Sequence, residues 1–192
     1  MNKPKLFRKV EEREFFAYHM LLHAAELEIS SAEESQVGRF NKCLAAMVMT
    51  AIAVESLLNA VGSRIMEDCP SFEQLRPHEK INSLVEKLQI QCDLKKEPWT
   101  TLKFLAGFRN DIVHAKPKSI IKKSVLPEVA LAKTAFDKPN SKLEREITFG
   151  NARRVLSAVN KLKGLLTDAM PVEKRFGIYT DMWSGSTTEN ET

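Results

Sequence analysis

Residues 43–54 read CLAAMVMTAIAV, twelve positions without a charge. A helix that is apolar on every side belongs at the centre of a bundle, so this run predicts the most buried element of an all-helical fold. It lies inside a longer helix, expected from about Val37 to Met66. Glu55 is the first charge after the run. It continues the row Leu44, Val48, Ile52, three residues past Ile52, which puts this acid at least partly on an apolar face. Gly62, then Asp68-Cys69-Pro70, are expected to end the helix.

Working outward, Phe15, Tyr18, Leu22, Ala25 and Ile29 recur at three- and four-residue spacing and predict a first helix over about Val10 to Ile29. Ser31 to Glu34 has the form of a capping box, so Ser30-Ser31 ends that helix or caps the next element. Ile81, Leu84, Val85 and Leu88 mark a third helix over about His78 to Ile90. A fourth starts near Pro98 and stops close to Ala115, because Pro117 disfavours helix at Lys116. A last helix, about Phe149 to Ala169, carries Val155, Leu156, Val159, Leu162 and Leu166. The stretch 117–147 holds Pro117, Pro127 and Pro139 and reads as a looser, basic insertion with a short helix at Glu128–Phe136. No strand pattern is visible. The expectation is an all-α fold: an up-and-down bundle of four to five long helices in one domain over 1–175, then a polar tail over 176–192 that lacks structure from Ser184 on.

The chain has 192 residues, of which 43% are hydrophobic, 28% charged and only 7 are Gly. That is enough to bury a core without disulfide or metal staples, and it excludes collagen-like and largely disordered chains. No uninterrupted run of about 18 apolar residues occurs, so no membrane span is expected. The N-terminus reads MNKPKLFRKVEERE, charged where a signal peptide carries its apolar core. Cys43, Cys69 and Cys92 are widely spaced without a Cys-x-x-Cys, which suits a reducing, cytoplasmic setting.

The net charge of +4 is unevenly placed. Residues 1–108 sum to −1, residues 109–175 to +8 and residues 176–192 to −3. A basic third of a chain is a footprint for phosphates or acidic partners, or simply a set of solvated helix faces.

That basic stretch begins at Arg109, in Phe108-Arg109-Asn110-Asp111-Ile112-Val113-His114 at the end of the fourth helix. At about 100° per residue, Leu102, Leu105, Phe108 and Ile112 form the core-facing stripe, and Arg109 falls inside it. A guanidinium there is costly unless it is paired or faces a polar cleft. Lys103, Gly107, Asn110 and His114 fall on the opposite side. Gly107 costs about 1 kcal/mol relative to Ala in a helix interior, which suggests a close approach by another helix. His114 lies in the last turn, where the helix dipole favours the imidazolium.

The spacing of Arg109, Asn110 and His114 resembles the R-x4-H signature of HEPN domains (higher eukaryotes and prokaryotes nucleotide-binding). About six residues carry the likeness in sequence. The architecture, a motif closing a late helix after a long apolar second helix, extends it over most of residues 10–170. The insertion at 117–147 is longer than a minimal bundle of this kind needs. The resemblance implies a metal-independent, cofactor-free endoribonuclease of toxin or defence type. It implies a homodimer in which the motifs of two subunits meet in one cleft, and relatives often work with an antitoxin or other partner protein.

On that reading His114 acts as general base on a ribose 2′-OH or as acid to the leaving 5′-oxygen. Arg109 stabilises charge on the phosphorane oxygens, and Asn110 holds the imidazole or a phosphate oxygen. Lys116, Lys118, Lys122 and Lys123, four lysines in eight residues, hold the RNA backbone. Arg109 and His114 lie about 140° apart on a straight helix, so a dimer cleft drawing each from a different copy suits them better than one subunit does. Without catalysis, Arg109 could be a structural partner of Glu55, and His114 could cap helix-end carbonyls, leaving a helical RNA-binding or protein-interaction module.

Other constellations are weaker. His19 and His23 stand four apart with Glu26 beyond them, a metal-capable spacing, but no Glu-x-x-His motif accompanies them and surface or packing roles are favoured. His78 sits at a helix start. Asp181-Met182-Trp183 is an isolated aromatic segment that could pack the tail, and Arg153-Arg154 could extend the basic surface. There is no Gly-rich phosphate loop and no Gly-x-Ser-x-Gly.

Overall fold

A computed structural model of the chain describes residues 7–125, 127, 130, 138–178 and the strand Met182–Glu189, whose Met182, Trp183 and Glu189 are described by backbone alone. It is mostly helical, 64%, with seven α-helices and one two-stranded sheet among those residues. In chain order these are β1 (Phe7–Glu14), α1 (Ala17–Glu34), α2 (Arg39–Ile65), α3 (Cys69–Gln74), α4 (Pro77–Lys87), α5 (Trp99–Val113), α6 (Lys142–Glu146), α7 (Phe149–Ala169), a 3-10 turn (Val172–Lys174) and β2 (Met182–Glu189). The residues group into two units. One takes in Met1–His23, Ile52–Cys92 and Asn160–Thr192, and the other Ala24–Ala51 and Asp93–Val159. α1, α2 and α7 contribute residues to both.

In the first unit, Tyr18, Leu57, Leu58, Val61, Leu84, Leu162, Leu166 and Ile178 are completely buried. Each large apolar side chain taken out of water in this way contributes about 1.5–3 kcal/mol before chain entropy is counted. The Tyr18 hydroxyl donates to the Ile178 carbonyl, so the one polar atom of that buried ring is satisfied. Arg175 donates to the carbonyls of Met170 and Asp168 at 2.8 and 2.7 Å and closes the end of α7, where a cation also suits the helix dipole. Gly62 lies within α2 and does not end it: a Cβ there would overlap the ring of buried Phe72. The glycine is there for close approach. α3, which the sequence pattern does not announce, is capped by Asp68, whose carboxylate accepts from the Ser71 N–H at 3.1 Å.

In the second unit, Ala25, Ile29, Ala32, Cys43, Ala46, Met47, Leu105, Phe108, Val155 and Val159 form the buried set. Gly38, at φ +67°, makes the turn between α1 and α2. Two bases in the first turn of α2 then reach back to α1: Arg39 donates to the Ala32 carbonyl at 2.7 Å and Lys42 to the Ser31 carbonyl at 3.0 Å. Ser141 and Glu144 form a reciprocal capping box at the start of α6.

Several expectations need correction. The first helix starts at Ala17 and runs on to Glu34, so Ser31–Glu34 is its last turn and caps nothing new. Phe15 precedes the helix and is 56% exposed. Ser184 to Glu189, expected to lack structure, are part of β2, antiparallel to β1, with Phe7 opposite Glu189 and Glu14 opposite Met182. The short helix expected at Glu128–Phe136 lies almost wholly outside the described residues. α2 is not buried all round: 44% of its most apolar stretch is buried, and Ile52 is half exposed. It is also, by length and composition alone, the one helix among the described residues long and apolar enough to cross a membrane.

Candidate functional site

α5 carries the Arg109–His114 motif. Its buried side is Trp99, Thr101, Leu102, Leu105 and Phe108, close to the stripe read from the sequence. Phe104 and Phe108 stack with ring centroids 6.5 Å apart, and the Arg154 guanidinium lies 4.9 Å from the Phe104 ring centroid. This packing fixes which side of α5 faces solvent. Lys103, Ala106, Gly107, Asn110, Asp111 and His114 are exposed along that side.

Arg109 is half-buried, at the border of the core-facing stripe rather than inside it. Asn110 is exposed. His114 is the C-cap of α5: its backbone N–H donates to the Asn110 carbonyl at 3.0 Å while its side chain is exposed. Gly107 admits no close neighbour, since a Cβ there would meet nothing within 4 Å, so the expected helix approach is absent among the described residues. After α5 the chain leaves regular structure, and Lys116, Lys118, Lys122 and Lys123 are all exposed with Ile120, Ile121 and Val125 between and beyond them. Arg109, Asn110, His114 and the four lysines therefore belong to one unit and one contiguous stretch. Glu55, the acid considered as a partner for Arg109, is half-buried on α2.

Asp111, between Asn110 and Ile112, is held from α6. Its carboxylate lies 3.4 Å from the Lys142 ammonium, which also lies 3.5 Å from Glu146. Glu146 first and Asp111 second push the Lys142 ammonium above its ordinary value. This brace on the last turn of α5 is long-range in sequence, and nothing in the 117–147 composition signals it.

Lys80 is a second residue that the sequence conceals. It reads as a surface lysine at a helix start, yet it is 1% exposed. Its ammonium donates to the Asn59 amide oxygen at 2.7 Å and sits 5.9 Å from the Phe72 ring centroid. The available signal is Asn59 itself, a polar residue in the apolar second helix.

The His19 ring lies against Tyr18, centroids 4.2 Å apart, and His23 is exposed. Among the described residues no group of three or more His, Cys, Asp or Glu is arranged to hold a metal ion. Cys43 is buried, which pushes its thiol upward against a smaller opposing effect of Arg39. What α5 presents chemically is an exposed imidazole and carboxamide, a half-buried guanidinium and a run of ammonium groups: a proton carrier and several anion binders. No protein-family model, no curated protein and no solved structure matches the chain.

Proposed function

We propose that the chain is a HEPN-type, metal-independent endoribonuclease of toxin or defence type, active as a homodimer through a cleft that joins two α5 helix ends. The observation that carries this reading is the exposure of Asn110 and His114 on one face of α5, leading directly into four exposed lysines. Among the described residues nothing lies within 4 Å of a Cβ at Gly107, and a second subunit would seat there.

In this mechanism the RNA backbone lies along Lys116, Lys118, Lys122 and Lys123, where each ammonium neutralises phosphate charge. His114 takes the proton from a ribose 2′-OH. The oxygen attacks the adjacent phosphorus, and the P–O5′ bond breaks. Arg109 stabilises the charge that builds on the non-bridging oxygens. The products are a 2′,3′-cyclic phosphate and a 5′-hydroxyl, and a second His114 protonates the leaving 5′-oxygen. Asn110 positions the imidazole or a phosphate oxygen.

The test is incubation of the purified protein with RNA in excess EDTA. Cleavage that His114→Ala abolishes, with helix content unchanged, supports the proposal. Salt-dependent RNA binding without any cleavage would replace it with a noncatalytic RNA-binding module.

A further inference from the structure

β1 and β2 form a ribbon in which all eight β1 side chains are exposed. Among the described residues β1 has β2 on one edge and no strand on the other. An open edge is a template for another strand, and proteins usually blunt it with charges. Here the order of the charges matters. Residues 8–12 read Arg-Lys-Val-Glu-Glu. Read backwards, the same segment is acid-acid-Val-base-base, its own electrostatic complement.

β2 does not use that pattern. It sets Thr188, Thr187, Ser186, Gly185 and Ser184 opposite Arg8, Lys9, Val10, Glu11 and Glu12. None of these five is charged. Lys9 instead lies 2.8 Å from Glu11 along its own strand. The far end of the strand is anchored, because Glu14 pairs with Arg64 of α2.

We infer that β1 is a self-pairing strand: two copies of the chain join antiparallel, edge to edge, about a two-fold axis at Val10, giving a four-stranded sheet in the order β2–β1–β1–β2. Geometry narrows the register to this one. Directly opposed residues in an antiparallel pair alternate between hydrogen-bonded and non-hydrogen-bonded types. A two-fold axis must therefore pass through a residue facing its own copy. Val10 is the only uncharged residue between Arg8 and Glu14, so an axis at any other position in that span opposes like charges. With the axis at Val10, valine meets valine, Lys9 meets Glu11 of the second copy and Arg8 meets Glu12, each pair twice. Phe7 meets Arg13, whose guanidinium lies 5.3 Å from the Phe15 ring centroid of its own chain. The interface is isologous and by itself joins two chains, as a self-complementary patch requires; it is a contact separate from the proposed α5 cleft. The same charges discourage foreign strands that lack the reversed order. This inference does not depend on whether RNA is cut.

The experiment is sedimentation equilibrium of the full chain and two charge variants, one with Arg8→Glu and Lys9→Glu, the other with Glu11→Lys and Glu12→Lys. Each variant strand repels its own copy but complements the other variant. The wild type self-associates through β1, each variant alone loses that association by at least about tenfold, and an equimolar mixture recovers it by pairing unlike chains. Circular dichroism checks that each variant keeps its helix content. Val10→Lys, which opposes two lysines at the axis, serves as an independent disruption and weakens the dimer as well. A wild type that stays monomeric, a dimer that these changes do not weaken, or a folded mixture that fails to recover would each overturn the inference.

Discussion

Lys80 hands its buried ammonium to the Asn59 amide oxygen of α2, 2.7 Å away. An ammonium that is 1% exposed has lost its hydration, so the acceptor matters more than it would at the surface. Asn59→Leu is expected to destabilise the protein by about 1.5–3 kcal/mol, the range for a hydrogen bond to a charged group. Lys80→Met removes the charge and its need together and costs less. The double variant then recovers part of the Asn59→Leu loss. Urea unfolding of the four proteins measures the coupling directly.

Gly62 and Phe72 make a second local prediction. Because a Cβ at residue 62 overlaps the Phe72 ring, Gly62→Ala raises local helix propensity yet destabilises the protein by about 1–3 kcal/mol, as overpacking does. Adding Phe72→Leu, which frees the space, makes the alanine better tolerated than it is alone. Thermal unfolding of the single and double variants checks the sign.

The acid limb of stability has an identified contributor. Glu97 accepts from the Thr101 hydroxyl at 2.7 Å, and that bond, foremost, holds its carboxyl below the usual carboxylate range. The native state therefore takes up this proton at lower pH than the unfolded chain does. The resulting stability is complete above the unfolded carboxylate value and is lost as pH falls through the folded one. Thr101→Val lowers the melting temperature at neutral pH and flattens its decline under acid. Equal acid slopes for the two proteins would show that Glu97 contributes nothing.

How much of this structure is legible in the sequence depends on the range of each interaction. α7 is legible to the residue because Val155, Val159, Leu162 and Leu166, all fully buried, repeat at helical spacing. The buried face of α5 is legible for the same reason. The β1–β2 ribbon is hidden: its strands lie at opposite ends of the chain, and with every β1 side chain exposed there is no alternation to read. Lys80 is hidden because the acceptor that permits its burial comes from another helix. Glu55 continues an apolar row, but Ile52 in that row is half exposed, so the row marks the outer side of α2 rather than its core. The motif residues are legible as residues. Their exposure at a helix end becomes clear only from the packing of α5.

The four lysines after α5 predict a salt signature. Binding of single-stranded RNA releases counterions, and each phosphate contact contributes about 0.7 to the slope of log affinity against log salt. Replacing Lys116, Lys118, Lys122 and Lys123 together by Ala lowers that slope by about 3 at most, nearly independently of RNA sequence. An unchanged slope would remove these lysines from the RNA path.

The most direct test of the ribonuclease reading is the chemistry of the cut ends. RNA treated with the purified protein in EDTA is analysed by mass spectrometry, beside the His114→Ala and Arg109→Ala variants. The expected result is a 2′,3′-cyclic phosphate and a 5′-hydroxyl from the wild type, with neither variant producing them. The same ends formed at an unchanged rate by His114→Ala, or no cleavage by the wild-type protein, would contradict it.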